Sequence, residues 1–368
     1  MANIGYLQVV RHCNHYCGFC SNPSTPFEHT IESMRRLVDD LCARGYFGVV
    51  LTGGEPTLHP ELPTIARYAK ERGLHVRMIT NGHRLAQPAF AKAMADAGLD
   101  LVHVSIYSVR AEVEEHLRGA PGTLRLALAA IENAHACGIE VNVNSVINRH
   151  NADHLDETVR FLVERHPYVR HFVWNNLDPS MGRAEVNQAE YLPSLRSFEA
   201  SLHRALSLLH RTGRTFRVER VPLCYMADFA WASTETRKIV KAEERVVHFL
   251  DEKQTIRQTE WEHQYAECCQ TCSLRRICGG LFDRGGAYDP AELAPVFISP
   301  EPIVRAIRGD DGRSAPRAQP VPLPEVGLIT AESLRKHARR RQVEERRAAD
   351  LGIKQERSAA EADKEGIE

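Results

Sequence analysis

The sequence predicts an α/β protein: a partial (β/α)6 TIM-like barrel over about residues 4–215, followed by a small cysteine-rich domain. Three features predict the barrel. Short apolar segments alternate with longer ones in which apolar residues recur at helical spacing. The apolar segments are nearly continuous, as strands buried on both faces are. Glycines close the helical segments one after another, in the position where helices commonly end. Such alternation implies a parallel sheet covered by helices through right-handed crossovers.

Tyr6–Val10 is the first strand. Ile31–Arg44 places Ile31, Met34, Leu37, Val38 and Leu41 on one helical face and ends at Gly45. Phe47–Leu51 is the second strand, closed by Thr52-Gly53-Gly54-Glu55-Pro56. A helix over Leu62–Arg72 ends at Gly73, and His75–Ile79 is a strand running into Thr80-Asn81-Gly82. Helix Ala89–Ala97 ends at Gly98 and leads to strand Leu101–Ile106. Helix Leu124–Cys137 ends at Gly138 and leads to strand Ile139–Ile147. Helix His154–Glu164 and strand Val169–Trp174 complete six strands.

Beyond these, Tyr191–His210 reads as one long amphipathic helix and Thr215–Val221 as a strand. Residues 225–265 are ambiguous, although Arg245–Leu250 and Thr255–Thr259, flanking Asp251-Glu252-Lys253, fit a hairpin. From Arg308 the chain turns to Gly, Pro and charge. Ala331–Glu368 has few large apolar residues, as a solvated helix or an unstructured tail would. Its Arg339-Arg340-Arg341 run is followed by Glu344 and Glu345 and reads as a solvated face. The expected division is a barrel over 4–215, a cysteine-rich domain over 216–300, and a linker with a charged tail over 301–368.

A chain of 368 residues suits two domains or one large barrel with an extension. With 47 Lys+Arg against 48 Asp+Glu there is no electrostatic case for nucleic acid. No signal peptide is evident, and no apolar run reaches the ~18 residues needed to span a bilayer. Ten cysteines in two tight clusters suggest metal rather than disulfides. A reducing cytosol suits such thiolates, so a cytoplasmic protein is expected.

The first cluster organises the chain. In Arg11-His12-Cys13-Asn14-His15-Tyr16-Cys17-Gly18-Phe19-Cys20 three cysteines fall in a C-x3-C-x2-C pattern directly after the first strand. Thiolates hold Fe–S clusters, and three ligands on a four-iron cubane leave one iron open. Zinc is the alternative; it takes four closed ligands, and His15 is the one nearby substitute for a missing cysteine. With Phe19 before the third cysteine, the pattern resembles the signature of the radical S-adenosylmethionine (radical SAM) superfamily. The resemblance implies a [4Fe–4S] cluster held by Cys13, Cys17 and Cys20, whose open iron is chelated by the amine and carboxylate of S-adenosylmethionine. It also implies that an electron, from a reductant such as flavodoxin or ferredoxin, cleaves the sulfonium to a 5′-deoxyadenosyl radical. That radical would take hydrogen from a small-molecule or peptide substrate.

Gly53-Gly54-Glu55-Pro56, at the right distance after the cysteines, resembles the family motif that binds the methionine amine. Glycines there let a ligand approach the backbone, and a carboxylate accepts a charge-assisted hydrogen bond from an ammonium. Ser105, ending the fourth strand, matches the family position that contacts ribose or carboxylate. Asn142 and Asn144 put amides on one face of the fifth strand, and Asn144 is the expected adenosine contact. Arg118 is placed to reach the methionine carboxylate, and Thr80-Asn81-Gly82 resembles a strand end facing substrate or cofactor. No catalytic residue is assigned.

Downstream, Cys269, Cys272 and Cys278 form C-x2-C-x5-C followed by glycine. This resembles the twitch or SPASM-type extensions of radical SAM enzymes, which hold auxiliary [4Fe–4S] clusters. A fourth ligand from upstream is expected, Cys224, with Cys268 competing and a structural zinc site of four cysteine ligands as the alternative. Cys42 and Cys137 read as small buried hydrophobes. The chain offers little room before Tyr6 for a peptide-leader recognition domain, which weighs against a peptide maturase without excluding it. The expected activity is hydrogen abstraction followed by oxidation, rearrangement or bond formation. A crosslinking maturase of ribosomally made peptides is the alternative, and a non-catalytic Fe–S or zinc scaffold is the reading from another class.

Overall fold

Seven parallel strands form an open sheet in strict sequence order in the computed structural model, which describes residues 4–22, 24–242, 245–248, 255–258, 264–281 and 286–309. They are β1 (Ile4–Val10), β2 (Gly48–Gly53), β3 (His75–Thr80), β4 (Leu101–Ser105), β5 (Glu140–Ile147), β6 (His171–Asn176) and β7 (Thr215–Glu219). Six match the strands expected within the barrel, and the seventh matches the strand expected over Thr215–Val221. It pairs with β6 from His171↔Thr215 to Asn175↔Glu219, so the sheet continues past residue 215. On the opposite edge, β8 (Arg245–His248) pairs parallel with β1, and β9 (Thr255–Gln258) returns antiparallel to β8. The expected hairpin is therefore present in shorter form. Its turn at 251–253 and the chain beyond Gly309, including Arg339-Arg340-Arg341, lie outside the described residues.

The crossovers are helical: α1 (Ile31–Ala43), α2 (Leu62–Glu71), α3 (Pro88–Asp96), α4 (Ala111–Arg118), α5 (Thr123–Ala136) and α6 (Leu155–Arg165). Short helices α7 (Gly182–Val186) and α8 (Gln188–Tyr191) precede α9 (Leu195–Arg211); α10 (Thr234–Lys241) and α11 (Glu301–Arg308) follow. α1 buries Met34, Val38 and Leu41 and is capped by Thr30, whose side chain accepts the Ser33 amide hydrogen. Val49, Val50 and Leu51 of β2 are all buried, as a strand covered on both faces requires. Among the described residues, no helix is long and apolar enough to cross a membrane.

Two helical expectations change. α4 escaped the periodicity because its eight residues carry only Val113 and Leu117 as large apolar groups. The single helix expected over Tyr191–His210 is two. Pro193 drives Leu192 to an extended backbone (ψ 119°), and a new helix starts at Leu195 under a Ser194 cap. α9 then buries Leu195, Phe198, Leu202, Ala205, Leu206 and Leu209.

The cysteine-rich segment is closed by reciprocal backbone hydrogen bonds between Gln264 and Leu281. It is tied to the barrel side by the Tyr225 hydroxyl on the Glu292 carbonyl (2.6 Å), the Tyr288 hydroxyl on the Leu177 carbonyl (2.7 Å) and the Leu195 amide on the Glu292 carboxylate (2.7 Å). Ser194→Ala tests the second helix start: loss of the cap is expected to cost about 1 kcal/mol in denaturant unfolding. A continuous helix through residue 194 would show no such loss.

Candidate active site

Parallel α/β folds place their sites at the carboxyl ends of the strands. Here a cavity of about 190 Å³ opens there, lined by Cys13, Cys17 and Cys20 with Gly53, Gly54, Glu55, Asn81 and Ser105. β1 leads into it through an irregularity: Gln8 pairs with Thr52 and Val10 with Gly53, leaving Val9 as an extra residue. The cysteine loop is then fixed from several sides. Tyr16 donates its amide hydrogen to the Arg118 carbonyl (3.0 Å), and the Arg183 guanidinium donates to the Cys17 carbonyl (2.8 Å). Asn187 donates to the Gly18 carbonyl (3.0 Å). Phe19 is buried, edge-on to Tyr107 at 4.7 Å.

The donor set suits a soft, multiply charged group. Burial pushes the Cys17 thiol up to about 12, and burial together with the Glu55 charge raises that of Cys13. Such thiols become thiolates when a cation takes the place of the proton. No fourth cysteine lines this cavity among the described residues. Arg118 donates to the His15 Nδ1 (3.3 Å), and an arginine has no acceptor, so neutral His15 carries its hydrogen on Nε2. Burial, and then the Arg118 charge, keep it neutral by lowering its pKa to about 3. Its Nε2 is buried with no hydrogen-bond partner among the described residues.

Gly53 and Gly54 are required by the chain itself. A Cβ on Gly53, at φ +142°, would strike the Val10 carbonyl oxygen, and one on Gly54 would strike that of His12. The amides of Gly54 and Glu55 donate to these same two carbonyls at 2.8 and 2.9 Å. The close approach expected from a ligand is thus made by the start of the cysteine loop, while both glycines still border the cavity. Glu55 is 1% exposed. Its Oε1 accepts from the Thr57 and Thr80 hydroxyls, each at 2.6 Å, and from the Thr57 amide; its Oε2 accepts from the Asn81 amide at 2.7 Å. A carboxylate has about four lone-pair sites, so Oε2 keeps room for one further donor.

Two residues expected to contact the cofactor do not line this cavity. Arg118 does not border the cavity. It is fully buried behind it, donating to Glu114 Oε1 (2.6 Å), the Asn81 carbonyl (3.1 Å), the Ser105 carbonyl and His15. Asn144 is likewise not among the lining residues; its Oδ1 accepts from Asn175 Nδ2 on the neighbouring strand (3.0 Å), and Val146 borders the cavity instead. Ser105 and Phe19 do line it.

Three further lining residues escaped the sequence reading: Asn176, Asp178 and Arg220. Arg220 has a left-handed backbone (φ 62°), with Asn176 donating to its carbonyl (3.3 Å) and the buried Glu235 carboxylate accepting its amide hydrogen. Its guanidinium lies 3.8 Å from Asp178. The polar run Asn175-Asn176-Leu177-Asp178 directly after an apolar strand was the available signal for part of it.

Cys224, Cys269, Cys272 and Cys278 line one small cavity of about 20 Å³. Their sulfurs accept backbone amide hydrogens: Cys278 from Leu223 (3.5 Å) and Gly280 (3.3 Å), Cys272 from Val296 (3.3 Å), and Cys224 from Ala294. Amide donors aimed at sulfur favour thiolate, whereas burial pushes Cys269 and Cys278 up to about 12 without a metal. Four thiols with converging donors fit a closed metal group. Cys268 is not in this set, its thiol lying against the Leu293 carbonyl (3.4 Å). Cys42 and Cys137 are half-buried rather than fully buried.

Ser108, His154 and Asp153 are connected like a hydrolase triad, with contacts of 2.8 and 2.5 Å. Ser108 is 0% exposed and its oxygen also accepts the Arg110 amide hydrogen. A hydroxyl sealed in this way meets no substrate, and the arrangement staples the β4 and β5 exits together.

Residues 7–162 match the Radical SAM superfamily profile. The PqqA peptide cyclase of Ruegeria pomeroyi is 30% identical over 236 residues, 62% of this chain and 61% of that protein. The Fe-coproporphyrin III synthase of Methanosarcina barkeri is 33% identical over 147 residues, 39% of this chain and 36% of that protein. The chain thus spans about three fifths or less of the length of these two relatives. Streptococcus suis SuiB bound to S-adenosylmethionine shares the fold, with a TM-score of 0.58 at 14% identity over 76% of this chain and 72% of that one. The C-x3-C-x2-C loop at the mouth of the seven-stranded parallel sheet thus lies within residues 7–162, the part of the chain that is similar to the radical SAM superfamily.

Proposed function

We propose that this chain is an enzyme that uses S-adenosylmethionine at Cys13, Cys17 and Cys20 to modify a peptide substrate. The observation that carries the reading is the meeting of three cysteine thiols, with no fourth, and the Glu55 turn on one cavity. When bound there, a [4Fe–4S] cluster and S-adenosylmethionine supply a 5′-deoxyadenosyl radical able to abstract hydrogen. The protein's own part is positional. Glu55 offers its remaining Oε2 lone pair to an ammonium, and Ser105 and Phe19 border the space an adenosyl group would fill. Arg220 and Asp178, also on the cavity lining, present paired charges to a substrate. Cys224, Cys269, Cys272 and Cys278 hold an auxiliary [4Fe–4S] cluster, and a small electron-transfer protein such as flavodoxin or ferredoxin supplies the electron.

A peptide substrate is supported by the name of the relative aligned over 62% of this chain, a peptide cyclase. A porphyrin substrate is the second reading, supported by the relative named as an Fe-coproporphyrin III synthase. Formation of a crosslink within the peptide is the expected outcome of the first.

Anaerobic reconstitution with dithionite and S-adenosylmethionine is expected to yield 5′-deoxyadenosine. The Cys13→Ala/Cys17→Ala/Cys20→Ala variant is expected to yield none, and persistence of the product in that variant would refute the assignment. Glu55→Gln removes the charge assistance of one hydrogen bond, about 1.5–3 kcal/mol. Titration of S-adenosylmethionine should show affinity lower by roughly 10- to 100-fold with iron content unchanged; equal affinity would remove Glu55 from the site. The triple variant should retain about four irons on the second cluster. Adding Cys224→Ala should lower that iron or alter its spectrum, and an unaltered spectrum would point to a different fourth ligand.

A further inference from the structure

Outside both cysteine groups, three metal-competent side chains from separate elements converge. His116 sits in the last turn of α4, His150 in the turn after β5, and Glu190 in α8. Their ligand atoms all lie within 4.8 Å of one another. His116 Nε2 is 3.2 Å from Glu190 Oε1, and His150 Nε2 is 3.9 Å from the same oxygen.

The scaffold holds this arrangement before any ion arrives. The Arg149 amide donates to the Tyr191 carbonyl (2.8 Å), and its guanidinium donates to the Ala189 and Leu192 carbonyls (2.6 and 3.2 Å). These bonds lock the His150 turn to the helix that carries Glu190. The two imidazoles lie 4.7 Å apart, and Tyr191 stacks near-parallel to His116 at 6.1 Å. An independent observation points to a ligand: His150 Nε2 is buried with no hydrogen-bond partner.

We propose that His116, His150 and Glu190 form a binding site for a divalent first-row transition ion of the zinc class, which braces α8 against the cysteine loop. Tetrahedral zinc with bonds of ~2.0–2.1 Å separates its ligand atoms by about 3.4 Å, so closing the site requires only small rotations of the exposed His116 and Glu190 side chains. Two imidazoles and one carboxylate leave a fourth position for water. The site adjoins the reaction cavity through Tyr191. A Cβ on Gly18 would strike the Tyr191 ring, and Phe19 packs 6.1 Å from the same ring. An ion fixing Glu190 therefore fixes the residue beside it, which covers the cysteine loop from behind.

The test uses the full chain with its iron loaded anaerobically and zinc as the probe. After desalting, about one zinc per chain is expected, with X-ray absorption showing nitrogen and oxygen neighbours only and iron content unchanged. His116→Ala and Glu190→Gln, both at exposed positions, should each weaken zinc binding at least tenfold without altering iron content. Zinc should also slow amide exchange over 188–192 in the parent chain and not in either variant. Absence of retained zinc, sulfur neighbours around it, or retention unaffected by both substitutions would overturn the site. Unchanged exchange on zinc binding would overturn the bracing role.

Discussion

A guanidinium sealed from solvent governs the mouth of this barrel. Arg118 is 0% exposed, and burial by itself lowers its proton affinity. Glu114, Tyr107 and Cys17 around it reverse that tendency and hold its proton affinity above that of a free guanidinium. The Glu114 carboxylate is equally buried; its second oxygen accepts the amide hydrogens of Tyr107 and Ser108, both at 2.9 Å. A buried ion pair persists only when its remaining donors and acceptors are satisfied. Here that satisfaction is structural: the same guanidinium holds the ends of β3 and β4 and the imidazole of the cysteine loop. Cys13 and Cys17 therefore flank a residue whose tautomer and position are set from behind.

The strand ends supply the rest of the site by the same logic. Glu55 leaves β2 and is gripped by Thr80 and Asn81 from β3; Asn81 also reaches Asn14 of the cysteine loop at 2.8 Å. Glu55 is thus held by a neighbour one strand away, which is how a parallel sheet positions chemistry to a fraction of an ångström. Elsewhere on the cavity lining, a strained Arg220 backbone is held at both its amide and its carbonyl by buried side chains. Left-handed geometry at a non-glycine residue costs about 1–3 kcal/mol and persists where the surroundings over-determine it. Its occurrence on the cavity wall marks that wall as a place where side-chain direction matters.

The two cysteine groups differ in how they are built. The first lies on one loop and leaves a position open, with a buried carboxylate and a polar wall around it. The second draws Cys224 from the start of a short 3-10 turn after β7 and the others from a segment more than forty residues later, and its sulfurs receive backbone amides. An open site beside polar groups suits binding and chemistry, whereas a closed set of thiolates with amide donors suits a permanent group.

Much was legible in the residues alone, because it rests on short-range patterns. Continuous apolar runs and helical spacing marked the seven parallel strands and most of the helices, and C-x3-C-x2-C and Gly-Gly-Glu-Pro fall together on the lining of one cavity. Cys224 could be selected because few cysteines stood outside helices and away from the second cluster. What depended on tertiary structure was the direction of long polar side chains and the contacts between distant segments. Arg118 reads from the sequence as a group able to reach a ligand, and only the enclosure by Glu114, Asn81, Ser105 and His15 turns it inward. The two glycines read as room for a ligand, and only the crossing of the cysteine loop shows that backbone fills part of that room. Asp178 and Arg220 stand forty-two positions apart in the chain, with no local pattern to join them. They share a wall because parallel β6 and β7 end side by side, and spatial adjacency across a sheet has no local sequence period.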